Sequence, residues 1–194
     1  MTAAILEDFK ECDTLTDEVP AVVVRALEPD EGDVLLDIFT RMSDRSRERR
    51  FLAPKPRLTA SDLRQLTAVD HVHHEALVAV SLEDGRPIGV ARFVRDEDEP
   101  DAADVAISVV DAWQSQGVGT LLANALSERA LELGVRRFHA EMLPDNEPAI
   151  RLLHRTAGEV ERVALDSSAA EFRVTLGPVA GSRGRRLLKG GQPC

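Results

Sequence analysis

The chain has 194 residues, a length that suits one substantial domain and is too short for two comfortable ones. Its composition, 43% hydrophobic and 30% charged, is typical of a globular protein. Its formal net charge of −10 argues against nucleic-acid binding, which requires a basic face that displaces counterions. No signal peptide is visible, and no apolar run approaches the ~20 residues that span a bilayer. We therefore expect a cytoplasmic protein without a nucleic-acid or membrane partner. Cys12 and Cys194 lie near opposite ends and predict no disulfide or metal framework.

The pattern along the chain predicts three regions. Residues 1–19 are polar and acidic without sustained periodicity, which indicates an N-terminal extension. Residues 20–177 alternate between strand-like and helix-like segments and form the predicted folded domain. Residues 178–194 are glycine-rich, basic and aperiodic, so we expect a flexible C-terminal tail.

Within the domain, the predicted order is strand, two helices, three strands, helix, strand, helix, strand. β-branched runs mark the strands, and apolar residues three and four positions apart mark the helices. The EDGRP turn indicates a hairpin between the second and third strands, and Ser61 or Thr59 can cap the second helix. The segments, in chain order, are PAVVVRALEP, GDVLLDIFTRMS, TASDLRQLTAVD, EALVAVS, IGVARFVRD, ADVAISVVD, VGTLLANALSERALELG, VRRFHAEML, PAIRLLHRTAG and EFRVTL.

A loop with two glycines, Gly117 and Gly119, precedes the third helix, whose predicted first turn, Thr120 to Ala123, carries no acid. Free N–H groups and the positive end of the helix dipole suit a phosphate at such a place. A P-loop would need a lysine after the second glycine, and a dinucleotide-binding motif would need a glycine where Leu122 stands. The loop instead satisfies the pattern Q/R-x-x-G-x-G/A; the simpler alternative is a glycine turn into a core helix.

This loop resembles the pyrophosphate loop of acyl-CoA-dependent N-acyltransferases, the GNAT superfamily, and the resemblance extends from about Val22 to Leu176. The segments IGVARFVRD, ADVAISVVDAWQSQGVGTLL and HAEMLPDN, and the long run from RMSDRS to EALVAV, are similar to the catalytic domain of bacterial Pat-type protein lysine acetyltransferases. The resemblance implies a mixed α/β fold with a mostly antiparallel central sheet of about six to seven strands and helices on both faces. It also implies acetyl-CoA as co-substrate, and a primary amine as acceptor, with a protein lysine favoured over a small amine.

The same resemblance assigns residues to acetyl-CoA. Backbone groups of Ile107, Ser108 and Val109 would pair with the pantetheine arm like an added strand. Asn146 would contact the cofactor from the start of the last helix, although PDNEP is equally good turn and cap chemistry. The pyrophosphate would lie on the loop formed by Gln114, Ser115, Gln116, Gly117, Val118, Gly119 and Thr120.

The resemblance places the catalytic base on the fourth strand at Asp104, where Pat-type enzymes carry glutamate. A base is needed because a lysine with a pKa of ~10.4 is neutral only about once in 2,500 molecules at pH 7. Aspartate retracts the carboxylate by about 1.5 Å, a gap that a water can bridge. Glu141 is the second candidate base, and the alternative for Asp104 is a carboxylate that only faces solvent. The N–H of Val109 is the expected donor to the thioester oxygen.

The departing thiolate has no obvious acid. Many members of the superfamily use a tyrosine on the last helix, but this chain contains none, and Leu153 falls near that place. A thiolate can leave unprotonated because thiols are far more acidic than alcohols. His154 is a candidate substitute, with an ordinary solvated helix histidine as the alternative. Because of Asp104 and the missing tyrosine, an acyl-CoA-binding sensor without turnover stays an alternative function.

Two further clusters each allow two interpretations. Histidine is a common metal ligand, and three histidines, His71, His73 and His74, lie close together in the sequence. On an extended chain His74 points away from the face that His71 and His73 share, so we predict no metal site. A run of arginines after the first helix is either a solvated face paired with acids or, because it borders the acceptor site in the superfamily, a site for an acidic substrate. Those arginines are Arg41, Arg45, Arg47, Arg49 and Arg50. The predicted partners are acetyl-CoA and an amine acceptor; a homodimer is left open.

Overall fold

The computed structural model describes residues 21–156, 158–165 and 168–177. The predicted N-terminal extension and C-terminal tail lie outside these ranges. In chain order the elements are β1 (Val22–Ala26), α1 (Gly32–Thr40), α2 (Asp44–Phe51), α3 (Ala60–Leu66), β2 (His74–Ser81), β3 (Pro87–Arg95), β4 (Ala102–Val109), a 3₁₀ turn (Asp111–Trp113), α4 (Val118–Glu132), β5 (Arg137–Met142), α5 (Glu147–Thr156), β6 (Glu159–Leu165) and β7 (Ala170–Thr175).

The seven strands form one sheet in the order β1-β2-β3-β4-β5-β7-β6. Every neighbouring pair is antiparallel except β4 and β5, which run parallel and are joined through α4. The predicted fold class, a mixed and mostly antiparallel sheet with helices on both faces, is confirmed. Among the helices of the described ranges, none has the length and apolar character needed to cross a bilayer.

Two elements were not predicted, for the same physical reason. Helix α2 covers the basic run DRSRERRF and buries no residue, so it has no apolar periodicity to reveal it. Ser43 starts it by accepting a hydrogen bond from the Ser46 N–H at 3.2 Å. Strand β6 is an exposed edge strand without clean alternation, and it is held by backbone pairing to β7. Both elements depend on neighbours that a local pattern does not show.

The helices pack on opposite faces of the sheet. Helix α4 buries Leu122 and Leu126 against Leu77 and Phe93, and each such side chain stabilises the fold by about 1.5–3 kcal/mol. On the other face, the α1 residues Leu35 and Ile38 pack with side chains of β2 and β3. Thr59 caps α3 in a reciprocal capping box with Asp62, which resolves the choice between Ser61 and Thr59.

The sheet opens in its middle. Strands β4 and β5 pair only over their first three residues, Ala102 to Asp104 against Arg137 to His139. Beyond Asp104, β4 continues along β3 as far as Val109, whereas β5 pairs with β7. The two central strands therefore diverge, and the second half of β4 faces an opening instead of a neighbouring strand.

Candidate active site

The edge of β4 at this opening carries free backbone groups. In an antiparallel ladder, alternate residues bond to the neighbouring strand and the others point away. The Val110 N–H donates to the Ile88 carbonyl at 2.9 Å, and the Asp96 N–H donates to the Ala102 carbonyl at 3.0 Å at the other end. The alternation between these ends directs the N–H and C=O groups of Val105, Ile107 and Val109 toward the opening. It directs those of Ser108, which was predicted to pair with the pantetheine arm, toward β3 instead. An extended ligand can pair there as an added strand does.

The start of α4 closes one end of the opening. Gly117 is its N-cap with φ of 83°, a left-handed conformation that side chains disfavour, and no side chain caps the helix. The first turn contains no acidic residue, so its N–H groups and the positive end of the dipole are left for an anion. The helix begins at Val118, as the predicted segment does, so its first turn includes Gly119 and starts before the predicted first turn of Thr120 to Ala123.

The glutamines of the loop bond to the protein itself. Gln114 Nε2 donates to the Val109 carbonyl at 3.0 Å, to Asp111 Oδ1 at 3.2 Å and to the Ser46 hydroxyl at 3.2 Å. Gln116 Nε2 donates to the Ala112 carbonyl at 2.6 Å. These bonds tie the loop to β4, to the 3₁₀ turn and to α2. They indicate that the two side chains shape the loop.

A cavity of about 880 Å³ connects the loop with the opening. Among the predicted site residues, only Gln116 and Val118 do not line it. The side chain of Val118 is buried in the core, 1% exposed, so only its backbone N–H is available to a ligand at the helix start. The predicted residues that line the cavity are Asp104, Ile107, Ser108, Val109, Gln114, Ser115, Gly117, Gly119, Thr120, Glu141 and Asn146.

The two candidate bases lie on the same side of the sheet. Asp104 pairs with His139 in the parallel register, and Glu141 follows His139 by two residues on β5, so the three side chains share one face. Both carboxylates are exposed, and neither bonds to another residue that the structure describes. His139 was not predicted: its Nε2 atom is buried and has no hydrogen-bond partner in the described ranges. The sequence signal for His139 was its position two residues before Glu141 in HAE, which places both side chains on one face of a strand.

The last helix begins where the sequence places it. The N–H groups of Ala149 and Ile150 donate to the Asn146 carbonyl at 3.1 Å, so the backbone of Asn146 belongs to the helix start while its residue lines the cavity. Leu153 also lines the cavity and packs into the core. His154 is exposed and does not line the cavity, which weakens it as a substitute acid.

The arginine run divides between its two interpretations. Arg41, Arg45 and Arg47 pair with carboxylates, as predicted for a solvated face: Arg41 with Asp37 at 2.5 Å, Arg45 with Glu48 at 2.8 Å and with Asp145, and Arg47 with Asp44 at 3.3 Å. Arg49 and Arg50 instead line the cavity.

Arg92 lines the cavity together with Arg49 and Arg50, and it was not predicted as a site residue. It stands in the middle of β3, 5% exposed. Burial lowers its pKa to about 9, with a further contribution from the nearby Arg50 charge. Burial also lowers the pKa of Arg50 to about 10. A charged residue inside the apolar run IGVARFV was the sequence signal for Arg92.

The three histidines bond to different partners. His71 Nδ1 lies 2.8 Å from Glu75 Oε1, and His73 Nδ1 lies 3.0 Å from Asp70 Oδ2. His74 Nε2 accepts from Arg92 Nη1 at 3.3 Å, and burial followed by the Arg92 charge lowers the pKa of His74. In the described part of the chain, no group of three or more histidine, cysteine or acidic side chains is placed to hold a metal ion.

Comparison with known proteins relates this arrangement to other chains. The Acetyltransferase Pat of Mycolicibacterium smegmatis is 32% identical over 132 residues, which are 68% of this chain and 39% of that protein. The chain thus spans about two fifths of the length of that relative. The structure of the GNAT domain of PAT from S. lividans superposes with a TM-score of 0.72 at 28% identity, covering 84% of this chain and all of that one.

A more distant structure shares the fold alone. The protein yncA from Salmonella typhimurium, solved with its cofactor acetyl-CoA, gives a TM-score of 0.61 at 18% identity and covers 83% of this chain and 97% of that chain. The family model described as the Acetyltransferase (GNAT) family matches residues 39–158, more than half of the chain. The chain therefore belongs to the GNAT family of acetyltransferases.

Proposed function

We propose that the protein transfers an acetyl group from acetyl-CoA to a primary amine, with a protein lysine favoured over a small amine because of the similarity to Pat. One observation carries the proposal. The free edge of β4 leads from the open start of α4 to a carboxylate, Asp104, at the point where β4 and β5 separate. A ligand with a phosphate at one end and an extended, amide-bearing arm fits that path.

The residues that would hold acetyl-CoA are mostly backbone donors. The N–H groups of Val118, Gly119 and Thr120 are free in the first turn of α4, since Leu121 is the first residue whose N–H bonds back, to the Gly117 carbonyl at 2.9 Å. The groups of Val105 and Ile107 that point into the opening would pair with the pantetheine amides, whereas the Val109 carbonyl already accepts from Gln114. The bound thioester would supply the activated acetyl group.

Asp104 is the proposed proton acceptor for the amine. The C–N bond forms, the C–S bond breaks, one amine proton passes to Asp104 through a water, and CoA leaves as its thiolate. The N–H of Val109 is the proposed donor to the thioester oxygen. No acid is needed at the sulfur, and His154 lies outside the cavity.

The first experiment measures release of CoA thiol from acetyl-CoA with two acceptor pools, one of lysine-bearing proteins and one of small amines. Release above acceptor-free hydrolysis establishes the activity, and the active pool names the acceptor class. If neither pool supports release while the folded protein still binds CoA by calorimetry, the alternative of an acyl-CoA sensor without turnover is favoured.

The base is tested with Asp104→Asn. We expect kcat to fall by roughly 10²-fold or more while the affinity for CoA stays within about twofold. The loss should shrink at high pH, because the neutral fraction of the amine rises about tenfold per pH unit. Glu141→Gln should lower kcat less than Asp104→Asn, and Asp33→Asn, at an exposed position on α1, is the matched control. Unchanged turnover of Asp104→Asn at all pH values would transfer the role to Glu141.

A further inference from the structure

One wall of the cavity carries positive charge that no carboxylate in residues 21–156, 158–165 and 168–177 pairs with. Its members, called here the arginine wall, are Arg49, Arg50 and Arg92. Arg92 is almost completely buried in the centre of the sheet, where its neighbours in register are Ala76 on β2 and Ala106 on β4. Burying a charge without a counter-ion costs several kcal/mol in general, so such residues require an explanation.

In the described residues, no carboxylate forms an ion pair with Arg49, Arg50 or Arg92. Arg92 Nη1 donates to the Leu66 carbonyl at 2.7 Å and to His74 Nε2 at 3.3 Å, and neither acceptor is an anion. The buried Nε of Arg49 has no hydrogen-bond partner in the described ranges. Nine other arginines of the described ranges do pair with acids: Arg25, Arg41, Arg45, Arg47, Arg86, Arg129, Arg137, Arg151 and Arg173.

The arginine wall is distinct from the predicted phosphate site. Val90 and Arg92 alternate with Ala91 and Phe93 along β3, and the latter two pack toward α4. Arg92 therefore projects from the face that α1 and α3 cover, as its bond to the Leu66 carbonyl on α3 confirms. The open start of α4 belongs to the other side of the strand.

The wall lies beside the proposed base. Arg92 pairs with Ala106 and Val94 pairs with Asp104, so Arg92 and Asp104 are diagonal neighbours on the same face, with Cα atoms about 7–8 Å apart. One small acceptor molecule can therefore place its amine at Asp104 and its anionic group at Arg92. The planar forks of arginine favour a carboxylate, which they bind through two parallel hydrogen bonds.

We propose that the arginine wall binds a carboxylate of the acceptor, so that the substrate is an amine that carries a carboxylate close in space to the reacting nitrogen. This assignment rests on the proposed acetyltransferase function. The carboxylate can belong to a free amino acid or to an acidic residue beside a lysine in a protein. The shared chemistry is the same in both cases, and matched acceptors separate them.

The test uses two pairs of acceptors that differ only in a carboxylate. The first pair is L-lysine and 1,5-diaminopentane, and the second is a peptide with a central lysine flanked by glutamate and the same peptide with glutamine. We expect kcat/KM to favour the carboxylated member of one pair at least tenfold, and that pair names the source. Arg92→Gln and, separately, Arg50→Gln should lower this ratio at least tenfold. Arg57→Gln, exposed and away from the cavity, should not change it.

A binding measurement separates this proposal from the proposed function. Calorimetry with glutarate, a dicarboxylate without an amine, should detect binding to the CoA-saturated protein and a loss of binding in both arginine variants. Binding without any thiol release would contradict the acetyltransferase function alone. Turnover without glutarate binding and without a preference in either acceptor pair would overturn the arginine wall.

Two further results would also overturn it. One is an unchanged acceptor ratio in folded Arg50→Gln and Arg92→Gln proteins, with folding checked by thermal melting. The other is a strong preference for succinyl-CoA over acetyl-CoA with 1,5-diaminopentane, because the wall would then hold a carboxylate of the acyl group.

Discussion

Removing the charge of Arg129 should destabilise the protein far more than removing any surface arginine. Glu75, on β2, is 2% exposed at its side chain, and its carboxylate accepts from Arg129 Nε at 2.8 Å. His71 Nδ1, at 2.8 Å, and the Ala76 N–H, at 3.0 Å, are its other partners. In Arg129→Met the carboxylate stays buried and keeps only these two. The same bond ties α4, whose start is the proposed phosphate site, to the sheet.

The magnitude follows from burial. Removing one partner of a buried ion pair costs about 3–5 kcal/mol, and the 28% exposure of the Arg129 side chain places this pair at the lower end, about 3 kcal/mol. In a domain of this size that corresponds to a decrease in Tm of about 6–12 °C. The matched control is Arg151→Met, whose partner Glu147 is 76% exposed, and it should cost less than about 1 kcal/mol.

The assay is thermal and urea unfolding of Arg129→Met, Glu75→Gln and the double variant at pH 7. The double variant should be more stable than the sum of the single losses predicts, by about 2 kcal/mol, because Glu75→Gln removes the charge that Arg129→Met leaves alone. Two results would refute the role of this ion pair in holding α4 to the sheet. One is a decrease in Tm of less than 2 °C for Arg129→Met, and the other is strict additivity of the two losses in unfolding free energy.

Two other perturbations have a determined sign. Gly117→Ala should lower the free energy of unfolding by about 1–2 kcal/mol and weaken CoA binding, because φ of 83° strains an alanine although no atom lies within 4 Å of its Cβ. Melting and calorimetry measure the two effects. The control is Gly32→Ala, equally uncrowded but without positive φ, which should not lower stability or CoA affinity. Hydrogen bonds from Lys55, followed by those from the backbone and side chain of Thr59, lower the pKa of Asp62 from its usual 3.8 to about 2. The stability that Asp62 contributes is therefore complete above pH 4 and lost as the pH falls toward 2. Asp62→Asn should be less stable than wild type at pH 7 and indistinguishable from it near pH 2, and a constant difference in Tm across that range would contradict this reasoning.

The sequence alone determined the elements that carry a local pattern. Strands with β-branched runs and helices with an apolar face were predicted because burial of one face imposes a period on the chain. The loop from Gln114 to Thr120 was predicted because free N–H groups at a helix start need glycine and the absence of acid. The Q-x-x-G-x-G pattern within it indicates the family without any tertiary information.

Only the tertiary structure decided how distant residues meet. Nothing local to β4 or β5 shows that they separate after Asp104, because the divergence depends on β4 pairing with β3 and β5 pairing with β7. Helix α2 and strand β6 bury too little to leave a period. Arg50 and Arg92 are more than forty positions apart, and His139 reaches Asp104 across a parallel pair. A charge can be recognised in a sequence, whereas only the described fold shows that no carboxylate within it forms an ion pair with Arg50 or Arg92.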